Sequence, residues 1–207
     1  GLPLAGLTAY QALFTKAGRT FTGDDLGNLK PNQKLLVIGG ATLVGSFAVQ
    51  LAKNVGAFVA CTASAKNNAR GVAKTEACKA LGADVVIDYG QDEWSDVLAG
   101  QEYDLVFDTI GKQEDWANAS KVLKKGGDFI SVANFAADAA ANECNVFKNF
   151  LLKSDGGDLR DLVAMVKAGK LTVPVDSVVP FADVPAALAK SLAQANAGKI
   201  VVDVARA

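Results

Sequence analysis

The sequence predicts an α/β fold built on a parallel, doubly wound sheet, and three observations predict it. The apolar run Leu35-Leu36-Val37-Ile38 enters Gly39-Gly40, which reads as a buried strand meeting a tight turn. Val44, Phe47, Ala48, Leu51, Ala52 and Val55 then recur at helical spacing, the stripe of a helix packed on a sheet. Phe58-Val59-Ala60-Cys61-Thr62 follows as a second strand, and strand–turn–helix–strand is a βαβ unit.

Later elements repeat the alternation. Gly56 caps the first of these helices. A helix is predicted from Thr75 to Leu81, ending at Gly82, and a third strand over Asp84–Asp88. Leu105–Phe107 is a fourth strand. Trp116, Ala119, Ser120 and Leu123 mark a helix stopped by Lys124-Lys125-Gly126-Gly127, and Phe129–Val132 is a fifth strand. The alanine-rich stretch 133–149 reads as a crossover or a partner-facing loop. Leu159, Leu162, Val163 and Val166 define a helix ended by Gly169. Strands alternating with helices imply one parallel sheet, expected to have six strands over about residues 15 to 170. From Leu171 the chain is expected to leave that sheet. It forms a strand-like segment to Val179, a helix with Asp183 as N-cap and Pro185 in its first turn, and a last strand at Ile200–Val204.

Composition narrows the function classes. The chain has 207 residues, 21 basic and 22 acidic, and a net charge of -1, so no basic stripe points to nucleic acid or an anionic membrane. No apolar run approaches the ~18 residues of a membrane span. Histidine is absent, which removes a Ser-His-Asp triad and any histidine-ligated metal site. Cys61, Cys78 and Cys144 lack metal-binding or CxxC spacing and read as reduced packing residues, pointing to a reducing compartment. No metal is expected. Beginning at Gly1 rather than Met, the sequence reads as processed, truncated or part of a longer product, which leaves any targeting segment out of view.

An open parallel sheet binds ligands beyond the carboxyl ends of its strands, and the first strand-to-helix turn is the usual pyrophosphate seat. Here that turn is Gly39-Gly40-Ala41-Thr42-Leu43-Val44-Gly45. The end of the second strand reads Cys61-Thr62-Ala63-Ser64-Ala65-Lys66-Asn67-Asn68, without the acidic residue that holds the ribose of NAD. Ser64 and Lys66 suit a 2′-phosphate and favour NADP(H).

Five blocks in order carry a resemblance. They are Leu2–Leu13, Val44–Lys53, Leu81–Tyr89, Asp104–Gly111 and Gly198–Val202. In these the chain resembles the zinc-independent, zeta-crystallin-like quinone oxidoreductases of the medium-chain dehydrogenase/reductase superfamily, over nearly its whole length. The resemblance implies a Rossmann-type nucleotide-binding domain at 1–170, opening with the inter-domain helix, and a C-terminal return segment at 171–207. It implies metal-free hydride transfer from NADPH to a quinone, enone or alkenal. Carried over by position, Thr8 would lie near the nicotinamide. Gly40, Thr42, Val44 and Gly45 would face the pyrophosphate. Ser64, Lys66 and Tyr89 would surround the 2′-phosphate, and Asp108, Thr109, Ile110 and Gly111 would line the groove.

Three departures qualify that carry-over. Thr42 and Leu43 replace two glycines of the turn; a branched residue obstructs the anion and resists positive φ, so weakened NADP(H) binding is expected. Residues Asn67–Thr75 are longer than the usual connection. The family's N-terminal catalytic domain, which supplies much of the substrate cleft, is not in the sequence. The chain alone is therefore expected to hold no catalytic residue and to be inactive. Ile200–Val204 is expected to be covered by that missing half or by another subunit. The alternative is a non-catalytic accessory or structural subunit derived from such a reductase. Members of the family occur in cytosol and plastids, which leaves the cytoplasm or an organelle interior such as the stroma as the implied compartment.

Overall fold

The computed structural model describes residues 2–14, 26–135, 142, 145–149, 151–193 and 195–205. Cys144 and most of the stretch 136–144 lie outside them. Six strands form one sheet: β1 (Lys34–Ile38), β2 (Phe58–Ala63), β3 (Val85–Asp88), β4 (Tyr103–Asp108), β5 (Leu123–Ser131) and β6 (Val146–Asn149). Their order is β3-β2-β1-β4-β5-β6, and every pairing is parallel. This is the doubly wound order of dinucleotide-binding sheets, with its reversal between β1 and β4.

Side-chain alternation explains why the central strands are apolar throughout. In β1, Leu35 and Val37 point into one helical layer, while Leu36 and Ile38 point into the other. The first layer contains α1 (Pro3–Phe14), α2 (Leu43–Val55) and α6 (Gly156–Lys167), which pack on one another and on the sheet. The second is built around Trp94 of α4 (Trp94–Val97) and Trp116 of α5 (Gln113–Asn118). Fully burying one such Leu or Ile stabilises by roughly 1.5–3 kcal/mol, so these two layers hold the sheet.

Helix ends follow local chemistry. Gly56 closes α2 in the left-handed region at φ 85, its N–H bonded to the last carbonyls. The helix α3 (Lys74–Ala80) runs into Gly82 at φ 100. Asp155 caps α6 by accepting the Gly157 and Asp158 amides, a signal the sequence reading passed over.

Two local expectations are corrected. The helix through Trp116 does not reach Leu123: α5 stops at Asn118, a 3-10 turn covers Ala119–Lys121, and Leu123–Gly127 belongs to β5. Leu123 pairs with Tyr103 and Asp128 with Leu105 across a register shift, so the lysine–glycine run is strand rather than helix stop, with Lys124 in an ion pair to Asp104. The sixth strand comes from residues 146–149, inside the stretch read as a loop.

Beyond Leu171 the strands lie outside the main sheet. β7 (Val175–Pro180) and β8 (Lys199–Asp203) pair parallel in a separate two-stranded sheet, joined through a 3-10 turn at Phe181–Asp183 and α7 (Val184–Leu192). Asp183 stands at the N-cap, but its side chain makes no cap hydrogen bond. All five residues of β8 are half-buried, and Val204 lies past the strand, exposed.

Candidate functional site

A groove of about 540 Å3 opens beside the reversal point, beyond the carboxyl ends of β1, β2 and β4. Its floor is the turn after β1. Gly39 takes φ 87, a backbone state that only glycine adopts cheaply, and a Cβ there would stand 2.6 Å from Thr109 Oγ1. A Cβ on Gly45 would stand 2.1 Å from the Gly39 carbonyl oxygen, so Gly45 lets helix and turn touch. Gly39 N–H donates to Thr62 Oγ1 and Gly40 N–H to the Thr62 carbonyl, tying the turn to the end of β2.

Thr42 is the N-cap of α2. It sits at φ -68 and ψ 162, and its Oγ1 accepts the Gly45 N–H at 2.9 Å. The expected conformational conflict at Thr42 is therefore absent: positive φ falls on Gly39, one turn earlier. The threonine acts differently, placing its own oxygen on the Gly45 amide in the first turn of the helix. Leu43 and Val44 remain the first helical residues, where amides have no partner within the helix.

Asp108 shapes the opposite rim from below. It is buried; Oδ1 accepts the Ile110 and Gly111 amides at 2.8 and 3.0 Å, and Oδ2 accepts Ser131 Oγ at 2.7 Å. Thr109 Oγ1 donates to the Ile38 carbonyl and lies 3.0 Å from Thr42 Oγ1. Beside them Asp115, 3 % exposed, accepts from Trp94 Nε1 through Oδ1 while Oδ2 has no partner. Burial, reinforced by the Asp108 charge, pushes its carboxyl up to about 6.

The return segment supplies the outer wall through Thr172, Pro174, Ser191, Asn196, Ala197 and Gly198. Gln50 of α2 holds it in place: its Oε1 accepts the Thr172 N–H and its Nε2 donates to the Thr172 carbonyl. Asp176 accepts from Lys190 Nζ and the Ala197 amide, which hold its carboxyl down at about 2.

Of the twelve candidate residues, Thr42, Ser64, Tyr89 and Ile110 line this groove together. Gly40, Gly45, Asp108, Thr109 and Gly111 build the turns behind its surface, and Val44 packs against the core from the first turn of α2. Thr8 lies on α1, with its hydroxyl donated to the Leu4 carbonyl and no place in the wall. Lys66 is exposed and also outside it. The reading by sequence position missed Arg70 and Lys74, the two cations that do line the groove, and the return-segment residues. Cys78 is in the wall too, buried against Cys61. The hydrogen bond between the two thiols, with burial, raises Cys61, and the same bond lowers Cys78.

Comparison with known proteins places this geometry. The sequence profile of the zinc-binding dehydrogenase family matches residues 81–202. An NADPH-dependent alkenal/one oxidoreductase, chloroplastic, of Arabidopsis thaliana is 34 % identical over 206 residues, covering 98 % of this chain and 46 % of the relative. A 2-methylene-furan-3-one reductase of Solanum lycopersicum is 33 % identical over 180 residues, covering 87 % and 39 %. The solved quinone oxidoreductase from Coxiella burnetii superposes with a TM-score of 0.78 at 27 % identity, covering 98 % of this chain and 59 % of that one. The chain thus spans about half the length of the relatives it matches.

Proposed function

The chain belongs to the zinc-binding dehydrogenase family, on the quinone and alkenal oxidoreductase side of the medium-chain superfamily, and we propose that it is the nucleotide-binding part of an NADPH-dependent reductase. The acceptor is a conjugated carbonyl or a quinone, the class named for the relatives. Reductase names among those relatives do not favour the accessory-subunit reading.

The single observation that carries the proposal is the placement of the groove. It lies at the sheet's reversal, with the α2 N-terminus and the glycine turn in its floor. The fit to a dinucleotide rests on Gly39 and Gly45, which keep the floor free of side chains: a Cβ on Gly39 would meet Thr109 and Ile110, and one on Gly45 the Gly39 carbonyl. An anion can approach the start of α2 at Leu43, which lines the groove. Ser64 follows directly on β2 in the groove wall, and no carboxylate lines that wall among the described residues. Such a wall favours the phosphorylated ribose over the free diol.

When bound, the reduced nicotinamide supplies the hydride. The chain's own residues bind and orient: the turn seats the pyrophosphate, Ile110 presents an apolar surface, and the 172–174 and 196–198 segments close the outer side. The apolar face of the return segment is covered by polypeptide this chain does not contain, either the remaining length of such a reductase or a neighbouring subunit.

Titrating the intact chain with NADPH and NADH by calorimetry tests the reading. NADPH should bind more tightly by roughly tenfold or more, the increment of a charge-assisted phosphate contact. Absence of binding by either cofactor to folded protein refutes it.

A further inference from the structure

Residues 66–74 form a closed loop after β2, at the side of the groove lined by Ser64, Asn68, Arg70 and Lys74. Asn67 and Ala73 bridge antiparallel, and the Lys74 amide donates to the Lys66 carbonyl. Asn68 locks the interior: its Oδ1 accepts the Arg70 amide at 2.9 Å and the Val72 amide at 3.2 Å, and its own N–H donates to Val72. Gly71 turns the chain at φ 75. The loop therefore carries Lys66 outward and returns Arg70 and Lys74 to the wall.

Arg70 also spans the cleft. Its Nη2 donates to the Val175 carbonyl of β7, on the return segment. One guanidinium hydrogen bond is used there out of five N–H donors, so the planar fork is oriented with donors to spare. Lys74 is half-buried and adds a second positive charge from the first residue of α3. The wall holds these two cations and, among the described residues, no carboxylate to neutralise them. Ser64, buried at the end of β2, shares the wall with them.

We propose that Arg70 and Lys74, delivered by the 66–74 loop, bind the 2′-phosphate of the adenosine ribose and set the preference for NADPH, and that Lys66 does not. The ligand group is a phosphate monoester dianion, matched by an oriented guanidinium fork and an ammonium. The proposal rests on the reductase reading, and its test separates the two.

The intact chain is titrated with NADPH, NADH, 2′,5′-ADP and 5′-AMP, as parent and as Arg70→Gln, Lys74→Gln and Lys66→Gln, with thermal unfolding to confirm folding. Arg70→Gln and Lys74→Gln should each weaken NADPH and 2′,5′-ADP by roughly tenfold and leave NADH and 5′-AMP unchanged. Lys66→Gln should change none of the four. A loss confined to Lys66→Gln overturns the proposal while leaving the reductase reading intact. Equal losses for the phosphorylated and unphosphorylated ligands overturn it as well, since they mark Arg70 and Lys74 as props of the wall. A parent that binds 2′,5′-ADP through Arg70 and Lys74 but neither dinucleotide supports the phosphate site and refutes the reductase reading. A parent that does not prefer 2′,5′-ADP to 5′-AMP overturns the proposal outright.

Discussion

Thr42 shows how one side chain can be local stabiliser and competitor at once. Its hydroxyl satisfies the Gly45 amide, a capping bond whose loss to alanine costs about 0.5–2 kcal/mol, but whose replacement by glycine costs only a few tenths. The same oxygen occupies a donor that a pyrophosphate could use. Thr42→Gly, combined with Leu43→Gly, should therefore raise NADPH affinity by roughly tenfold in a protein that remains folded. Titration alongside thermal unfolding measures both; unchanged affinity would mean that the cap does not limit binding. Asp115 gives a pH signature. Its folded pKa, about 6, lies above its value in the unfolded chain, so its neutral form is the favoured one. The associated stability is fully present below the ordinary carboxylate range and is lost as pH rises through about 6. Asp115→Asn keeps an oxygen for Trp94 and removes the buried charge. It should stabilise on the order of 2 kcal/mol at pH 8 and far less at pH 4, read from denaturant midpoints. A pH-independent effect would show that packing, not charge, governs the site.

Among the elements, legibility followed burial on two sides. β1, α2 and β2 were readable because apolar runs such as Leu35–Ile38 bury both faces, and because the α2 stripe is long enough to show its period. β6 was not: four half-buried or exposed residues at a sheet edge carry little pattern, and they follow an alanine-rich stretch. Leu123 was misplaced for another reason. It satisfies helical spacing from Trp116, yet it is buried equally well in a strand opposite Tyr103, and spacing alone does not separate the two. The site was half legible for a similar reason. The glycine turn and Ser64 follow directly from strand ends, whereas Arg70 and Lys74 reach the groove only because the Asn68 turn folds the loop back. Gln50 is likewise invisible in a list of apolar positions. It sits mid-helix and brackets Thr172, which is 122 residues away in sequence.

For the whole molecule, the unresolved balance lies in the return segment. The main sheet buries its apolar strands on both faces, but β7, β8 and α7 form a small unit with one helix against two strands. Its outer surface carries Phe181 at 62 % exposure, Leu188 at 60 %, Leu192 at 86 % and Val204 at 76 %. Each large apolar side chain left in water forgoes roughly 1.5–3 kcal/mol of burial, and where such side chains adjoin they favour contact over solvation. Leu188 and Leu192 are four residues apart on α7 and so share a face. Light scattering of the purified 207-residue chain should accordingly show concentration-dependent association. Leu188→Lys with Leu192→Lys should reduce it, because two charges on that face oppose burial, while NADPH affinity stays unchanged. Adding the covering polypeptide in trans should compete with self-association in the parent and fail to bind the double variant. A parent that stays monomeric at all concentrations would show that this apolar face is tolerated in water and needs no cover.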